Sequence, residues 1–323
     1  METIGNAIRV ADASALTEGD WRALRRESIG SSDASAVLGM GRYGSPHKVW
    51  QSKVQGREIE QSFAMTLGHM MEPVILDLAG GELSMTVVKP DLVLRHPDSK
   101  VLTCNLDGYA TNPYGDEALI EAKHAGSYLK SQLTAWNETL VPPSGSAVEA
   151  WWVQLQHQLA ITQVARGYLA ALCDKDFFCI PVEYDQTFIS TRIEVELPMW
   201  FGRHVAGGEE PDFAANDEDT VRSRFSSINA DAEAVDMSEL SMSVARISAI
   251  KADVKELKDE EKLHNVRLRA HLGDSNLGVI DGKKVISSFM TSRKSVDFSA
   301  LKEQYPEAYD SLVTVKETRT YRT

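Results

Sequence analysis

Asp107 and the run Glu121-Ala122-Lys123 are the residues whose types and spacing could do chemistry. Successive side chains of a strand point to opposite faces. Glu121 and Lys123 therefore share a face, and Ala122 points to the other. Asp107-Gly108 ends the apolar run 101–106, and Ala118-Leu119-Ile120 leads straight into Glu121, which reads as a hairpin with a polar edge. Two carboxylates and an ammonium on such an edge suit a hard divalent cation that prefers oxygen ligands, Mg²⁺ or Mn²⁺. A cation of that kind activates water and offsets charge on a phosphodiester, and the lysine would orient the water or share the charge. Taken alone the pattern is weak, because Asp-Gly is a common turn and Glu-x-Lys a common solvated pair. Its weight comes from the surrounding elements.

Three of these stand out. Trp21 to Asp33 carries Arg22, Arg25 and Arg26 ahead of Gly30-Ser31-Ser32-Asp33, a helix start that Ser32 or Asp33 would cap. A helix N-terminus beside an arginine is a place for a phosphate. Tyr43-Gly44-Ser45-Pro46 opens another helix, with Val49 and Trp50 on its buried side. Gly68-His69-Met70-Met71-Glu72-Pro73 then lies within an apolar helical pattern of Phe63, Leu67, Met71, Ile75 and Leu78, which places Glu72 beside a buried stripe. Finally, Gln154, His157 and Gln158 form a polar face on the otherwise apolar helix that holds Trp152, Leu155, Leu159 and Ile161. Each feature has an ordinary reading as a cap, a surface glutamate or a solvated glutamine face.

Their order along the chain is far more specific. The stretches W-R-A-L-R-R-E-S-I-G-S-S-D, Y-G-S-P-H-K-V-W, L-G-H-M-M-E-P, N-L-D-G-Y with L-I-E-A-K, and W-W-V-Q-L-Q-H-Q-L span Trp21 to about Gln158. Together they resemble the YqaJ-type viral recombinases, a branch of the phage lambda exonuclease-like group of PD-(D/E)XK nucleases. A weaker likeness continues to about Pro211. The resemblance implies that Glu72, Asp107 and Glu121 are metal carboxylates and that Ala122 lends its backbone carbonyl to the metal. It implies that Lys123 is the catalytic lysine, Gln154 the active-site glutamine, and Arg25 with Ser32 the holders of a DNA phosphate. One departure is local: the family's Ser-Pro-Asp-Gly is Asn105-Leu106-Asp107-Gly108 here, so the carboxylate is kept and the proline is lost.

Composition sets the frame. The 323 residues are enough for one sizeable core and an extra module. Met1 to Val10 has no signal-peptide core, and no apolar run reaches membrane-spanning length, so the expected location is the cytoplasm of a bacterial host. Cys104, Cys173 and Cys179 are dispersed, which argues against a zinc ribbon or a four-cysteine iron–sulfur cluster. The net charge of −13 is unusual for a DNA-binding protein. Between Trp21 and Arg57, however, Arg22, Arg25, Arg26, Arg42, Lys48, Lys53 and Arg57 face only Glu27 and Asp33. A local basic patch of this kind can hold phosphates while the acidic remainder limits nonspecific binding.

The fold class expected is α/β. Strands are predicted over 83–88, 92–95, 101–104, 118–122, 168–172 and 177–182, and a helix over about 188–205. This fits a restriction-endonuclease-like core, a central mixed β-sheet flanked by helices, over residues 1–212. Residues 213–323 read as a C-terminal module of unknown role. Leu240, Val244, Ile247, Ile250, Val254 and Leu257 mark one helical stripe, expected as a short helical hairpin or packing arm, and Asp281-Gly282 marks a β-hairpin. Arg293, Lys294, Arg319 and Arg322 make the far end basic.

The resemblance implies a phage-type Mg²⁺-dependent 5′→3′ exonuclease of a recombination system, with Mn²⁺ able to substitute. It would resect double-stranded DNA ends to give 3′ single strands for an annealing recombinase protein, and would work as a homo-oligomeric ring without a membrane. The alternatives are a structure-specific endonuclease on the same core, or a non-catalytic DNA-binding adaptor.

Overall fold

The computed structural model describes residues 3–40, 42, 44–57, 62–227, 233–292 and 295–314. Tyr43 and the basic residues Arg293, Lys294, Arg319 and Arg322 lie outside them. The chain divides into two compact units, one running to Val221 and the other starting at Arg222.

The first unit is organised by one strand, β6 (Glu117–Ala125). It lies at the centre of a five-stranded mixed sheet with β2 (Thr86–Val88), β5 (Gly108–Thr111), β7 (Arg166–Cys173) and β8 (Asp176–Glu183), in the order β2-β5-β6-β7-β8. The β6–β7 pair is parallel, and the other three are antiparallel. Helices cover both faces, so β6 is apolar in both registers, as a doubly covered strand must be. Leu119 packs with Val153, Leu155 and Leu159 of helix α6 (Glu149–Thr162). Ala118, Ile120 and Ala122 point the other way, onto Ile75, Leu76 and Ala79.

Those three residues belong to a helix that forms after α1 (Glu18–Arg26), α2 (Ser31–Val37) and α3 (Pro46–Val54), namely α4 (Phe63–Leu83). Only the second half of α4 is buried. Phe63 and Leu78, expected in its buried stripe, are exposed. Leu83, expected in a strand, closes α4 and is followed by Ser84 in a left-handed cap, so β2 starts only at Thr86. Strands β1 (Ile8–Asp12), β3 (Leu92–Arg95) and β4 (Thr103–Cys104) form a separate three-stranded sheet, and α5 (Lys130–Thr139) follows β6. The helix expected over 188–205 runs from Gln186 to Ala206, with π turns over Ile189–Glu196 and Phe201–Ala206.

Asp107-Gly108 is not the hairpin turn. It opens β5, and the chain reverses at 112–116, where Asn112 Oδ1 accepts the N–H groups of Tyr114 and Asp116. Gly108 is required by close approach: a Cβ there would come within 2.7 Å of Leu76 Cδ2 and 3.1 Å of Ile120 Cβ. The first unit also extends past Asp212. Asp217 is fully buried and accepts from the Ser45 hydroxyl, and Asn216 donates to the Gly44 carbonyl at 2.9 Å.

In the second unit, where a short helical hairpin or packing arm was expected, there is one continuous helix of 32 residues, Ser241–Leu272, and no hairpin within it. The β-hairpin of Leu277–Ile280 and Lys283–Ser287 forms as expected. Asp281 and Gly282 both have positive φ, the geometry of the tight hairpin turn that matches strand twist.

Candidate active site

The antiparallel register of β5 on β6 sets Gly108 opposite Ile120, so Asp107, one residue before β5, comes alongside Glu121 at the open end of the pair. Asp107 Oδ2 accepts the Ala122 backbone N–H at 3.0 Å, which fixes the carboxylate against the neighbouring strand. Glu121 is fully buried, on the α6 side of the sheet. Its Oε2 accepts from the Gln158 amide at 2.8 Å, and its other oxygen contacts the Lys123 ammonium, two residues along the same face. The four groups Asp107, Glu121, Ala122 and Lys123 are thus brought together by one strand and its antiparallel neighbour.

Electrostatics in this cluster are unbalanced. Burial, and then the charge of Asp107, push the Glu121 carboxyl up to about 7 despite Lys123 and Gln158. Burial also lifts Asp107 above the ordinary carboxylate range; Lys123 opposes this and Glu72 reinforces it. Burial works against the charged form of Lys123, but Glu121 and Asp107 outweigh it and raise its pKa, so it is an ammonium at neutral pH.

Glu72 lies on α4, mostly buried, with its Oε1 held 2.5 Å from Lys89. It is close enough to act on Asp107 and Lys123 electrostatically. Among the described residues, no three His, Cys, Asp or Glu side chains converge as a ready metal cage, and the Glu72–Lys89 pair is a reason: the third carboxylate is turned to a neighbouring ammonium. The donor set nevertheless fits a hard divalent cation. It consists of carboxylate oxygens, two of which disfavour each other's ionisation, and Gln158 Oε1 is buried beside them without a hydrogen-bond partner. Gln154 stands one turn before Gln158 and is partly exposed. The glutamine that reaches Glu121 is Gln158, which sequence reading placed on the same polar face without a role.

A second cluster forms where α1 meets α2. Arg25 Nη2 lies 3.5 Å from Ser32 Oγ and 3.4 Å from Asp33 Oδ1. Helix α2 starts at Ser31, two or three residues earlier than a cap at Ser32 or Asp33 would place it. Its cap is Gly30, whose N–H reaches Asp33 at 3.3 Å, so Ser32 is not the cap and its hydroxyl is exposed. Lys53, expected in the basic patch that holds phosphates, is instead buried and holds the cluster together by donating to Asp33 Oδ2 at 2.8 Å and to the carbonyls of Arg25 at 2.9 Å and Ser28 at 2.6 Å. Burial would raise the Asp33 pKa, but Lys53 and Arg25 prevail and hold it below the ordinary value. His157, buried in α6, faces the same segment with Nδ1 3.1 Å from Ser31 Oγ, and burial depresses its pKa to about 3, so it is neutral. The sequence placed Lys53 in a basic patch and His157 on a polar helix face, and neither pattern tells a buried polar group from a solvated one.

Residues 20–165 match the model of the YqaJ-like viral recombinase domain. The protein YqaJ of Bacillus subtilis is 25% identical over 311 residues, covering 94% of this chain and 93% of its own. Among solved structures, the alkaline exonuclease LHK-Exo of Laribacter hongkongensis aligns with a TM-score of 0.46 at 21% identity, over 58% of this chain and 93% of its own. A phage-related exonuclease of Haemophilus somnus aligns with a TM-score of 0.41 at 10% identity, over 56% and 96% of the two chains.

Proposed function

We propose that the protein, whose residues 20–165 match the model of the YqaJ-like viral recombinase domain, is a divalent-metal-dependent exonuclease that degrades double-stranded DNA from its ends. The observation that carries this reading is the fully buried Glu121, beside Asp107 and in contact with Lys123, with more negative charge than its protein partners offset. Glu72, Asp107, Glu121 and the Ala122 carbonyl would hold Mg²⁺, or Mn²⁺ in its place. The bound cation would supply Lewis-acid activation of water and charge neutralisation at the phosphate.

The protein's own groups do the rest. Ala122 N–H anchors Asp107, and Gln158 anchors Glu121. Glu72 must exchange Lys89 for the cation, so Lys89 acts as its resting counter-charge. Lys123, being an ammonium, acts as a positioned charge that orients water and stabilises the developing phosphorane rather than as a base. Gln154 stands one turn before Gln158 on α6 and would contact the water or the phosphate near the site. Arg25 and Ser32 receive a DNA phosphate, Arg25 as a charged donor and Ser32 as a hydroxyl.

In the fuller reading, cleavage runs 5′→3′ in the bacterial cytoplasm and leaves 3′ single strands for an annealing recombinase protein, and a ring of identical subunits encloses the duplex. None of the helices in the described residues is long and apolar enough to cross a membrane. The test is incubation of linear and covalently closed circular duplex DNA with Mg²⁺. Consumption of the linear form alone is the expected result. Cleavage of both identifies a structure-specific endonuclease on the same core, and cleavage of neither identifies a non-catalytic DNA-binding adaptor.

A further inference from the structure

We propose that His157, through Ser31, is a positioning residue that sets the phosphate-holding segment of α2 in register with the catalytic glutamate. The inference rests on the nuclease reading above and assigns one side chain a role within it.

Neighbouring residues on a helix point about 100° apart, so His157 and Gln158 reach different partners from one point on α6. Gln158 donates to Glu121 Oε2 on the sheet at 2.8 Å, and His157 Nδ1 meets Ser31 Oγ on α2 at 3.1 Å. Glu121, His157 and Gln158 are completely buried and Ser31 is 6% exposed, so neither contact competes with water. The residue after Ser31 is Ser32, which lies against Arg25. Residues 25–33 move as a block, because Lys53 ties the carbonyls of Arg25 and Ser28 to the Asp33 carboxylate. A displacement of Ser31 would therefore carry Ser32 and Arg25 with it, relative to α6 and Glu121. The His157–Ser31 bond is a polar link between the two clusters at the point where α6 already grips the catalytic strand; it fixes the α2 end of a segment whose other end is held to residues 101–103 through Ile29 and Ser28. A misplacement of about 1 Å between a bound phosphate and the reacting centre costs a large factor in rate, so a rigid link here has a direct kinetic consequence.

The experiment compares wild type, His157→Leu, His157→Asn and Ser31→Ala on 5′-phosphorylated and 5′-hydroxyl linear duplexes, with kcat and KM measured separately. Leucine keeps the volume and removes the bond. Asparagine can place a polar atom near the imidazole Nδ1. Ser31→Ala is a small buried change that reads the same bond from the other side if His157→Leu fails to fold. The expected result is that His157→Leu and Ser31→Ala each lose most of the preference for the phosphorylated end. The loss is a several-fold to about tenfold rise in KM on that substrate, the worth of one buried hydrogen bond. The Mg²⁺ concentration for half-maximal rate stays within about twofold of wild type, a twofold change being under 0.5 kcal/mol on the scale where 1.4 kcal/mol is tenfold. His157→Asn recovers the preference. Wild-type preference in both His157→Leu and Ser31→Ala would overturn the inference. So would equal losses on both substrates, which mean general packing. A wild type that cleaves both ends equally overturns this inference and leaves the nuclease reading intact, whereas a wild type that cleaves no linear duplex overturns the nuclease reading itself.

Discussion

Asp33 and Glu121 are both carboxylates drawn into the first unit, and they titrate in opposite directions. Asp33 sits between Lys53 at 2.8 Å and Arg25 at 3.4 Å, with the Gly30 N–H added, and its pKa falls even though burial opposes this. Glu121 has one ammonium and one amide, but it is more deeply buried and has a second carboxylate beside it, and its pKa climbs to about 7. In the first region the protein satisfies its own charge, and the product is a rigid scaffold. In the second, burial and a neighbouring carboxylate outweigh the one ammonium, and the negative charge is less fully met, which is what the proposed cation site requires. The contrast lies in which term prevails: opposite charges at Asp33, burial and a like charge at Glu121.

The sharpest way to break this comparison is to remove the unmet charge. Asp107→Ala and Glu121→Ala should each reduce Mg²⁺-dependent cleavage by at least about 10³-fold, because the metal supplies several kcal/mol to the transition state. Duplex binding should survive, since the proposed phosphate contacts lie in the other cluster. Single-turnover cleavage at saturating Mg²⁺, alongside a binding measurement, checks this. Wild-type cleavage by either variant removes these residues from the metal site.

Lys123→Ala comes next. Its loss should lower the chemical rate by about 10²-fold, the usual worth of one preorganised charge at a reacting centre, with little effect on the Mg²⁺ dependence. Lys123→Arg should rescue poorly, because a planar guanidinium does not reproduce a compact ammonium beside a buried carboxylate. Normal single-turnover rates in Lys123→Ala would leave the lysine with only an electrostatic role towards Glu121.

How much of this was legible in the sequence differs between the two regions. The shared face of Glu121 and Lys123 was readable because period-2 alternation places side chains before any tertiary structure is known, whereas Ala122, on the other face, entered only through the family resemblance. Even so, Asp107-Gly108 read as a turn, since nothing in the sequence shows that Gly108 is required by the approach of Leu76 rather than by a reversal. Lys53 was not legible, because a lysine on an amphipathic helix is normally solvated; its burial depends on the carbonyls of Arg25 and Ser28, which are close only in the folded chain. The same holds for the glutamine face of α6, where Gln154 and Gln158 have equal claims in sequence and the sheet selects Gln158 for Glu121. In the second unit the Asp281-Gly282 hairpin is local and was readable. The helix stripe from Leu240 to Leu257 was read correctly in period, but its burial was not to be had from period alone: all six residues are exposed.

Stability against pH sharpens the comparison without using activity. In metal-free protein, the folded pKa of Glu121 lies above its unfolded value near 4.5. The folded state then binds more protons than the unfolded state between those values, so this group's contribution to stability declines as pH rises from about 4.5 to about 7. Glu121→Gln lacks that loss, and its stability relative to wild type should improve across this window. Asp33 has the opposite sign: its folded pKa is lowered, so its contribution is present above the unfolded value of 3.8 and is lost as pH falls through the folded value. Asp33→Asn should therefore cost most near neutral pH, about 2 kcal/mol with Lys53 left buried, and progressively less in acid. Urea unfolding in EDTA from neutral pH down through the Asp33 window, below its unfolded value of 3.8, measures both, and parallel pH slopes for the two variants would sink the contrast.

The smallest expected effect is at Arg25. Asp33 holds one edge of its guanidinium at 3.4 Å and Ser32 lies at 3.5 Å, both long for hydrogen bonds, and the side chain is about half exposed. Arg25 is therefore a charge that the scaffold aims rather than consumes. Arg25→Ala should leave folding nearly intact, because Lys53 remains on Asp33, and should weaken engagement of a 5′-phosphorylated end by about tenfold, the range of one charge-assisted hydrogen bond. The preference over a 5′-hydroxyl end should largely disappear, and the slope of log binding constant against log salt should flatten by about one phosphate contact. Arg25→Lys should restore the salt slope but little of the end preference, since an ammonium keeps the charge and loses the fork. Equal weakening on both ends, with the salt slope reduced, would make Arg25 a general electrostatic contact. Unchanged binding would mean that the exposed guanidinium faces solvent in the complex and that the phosphate is held elsewhere.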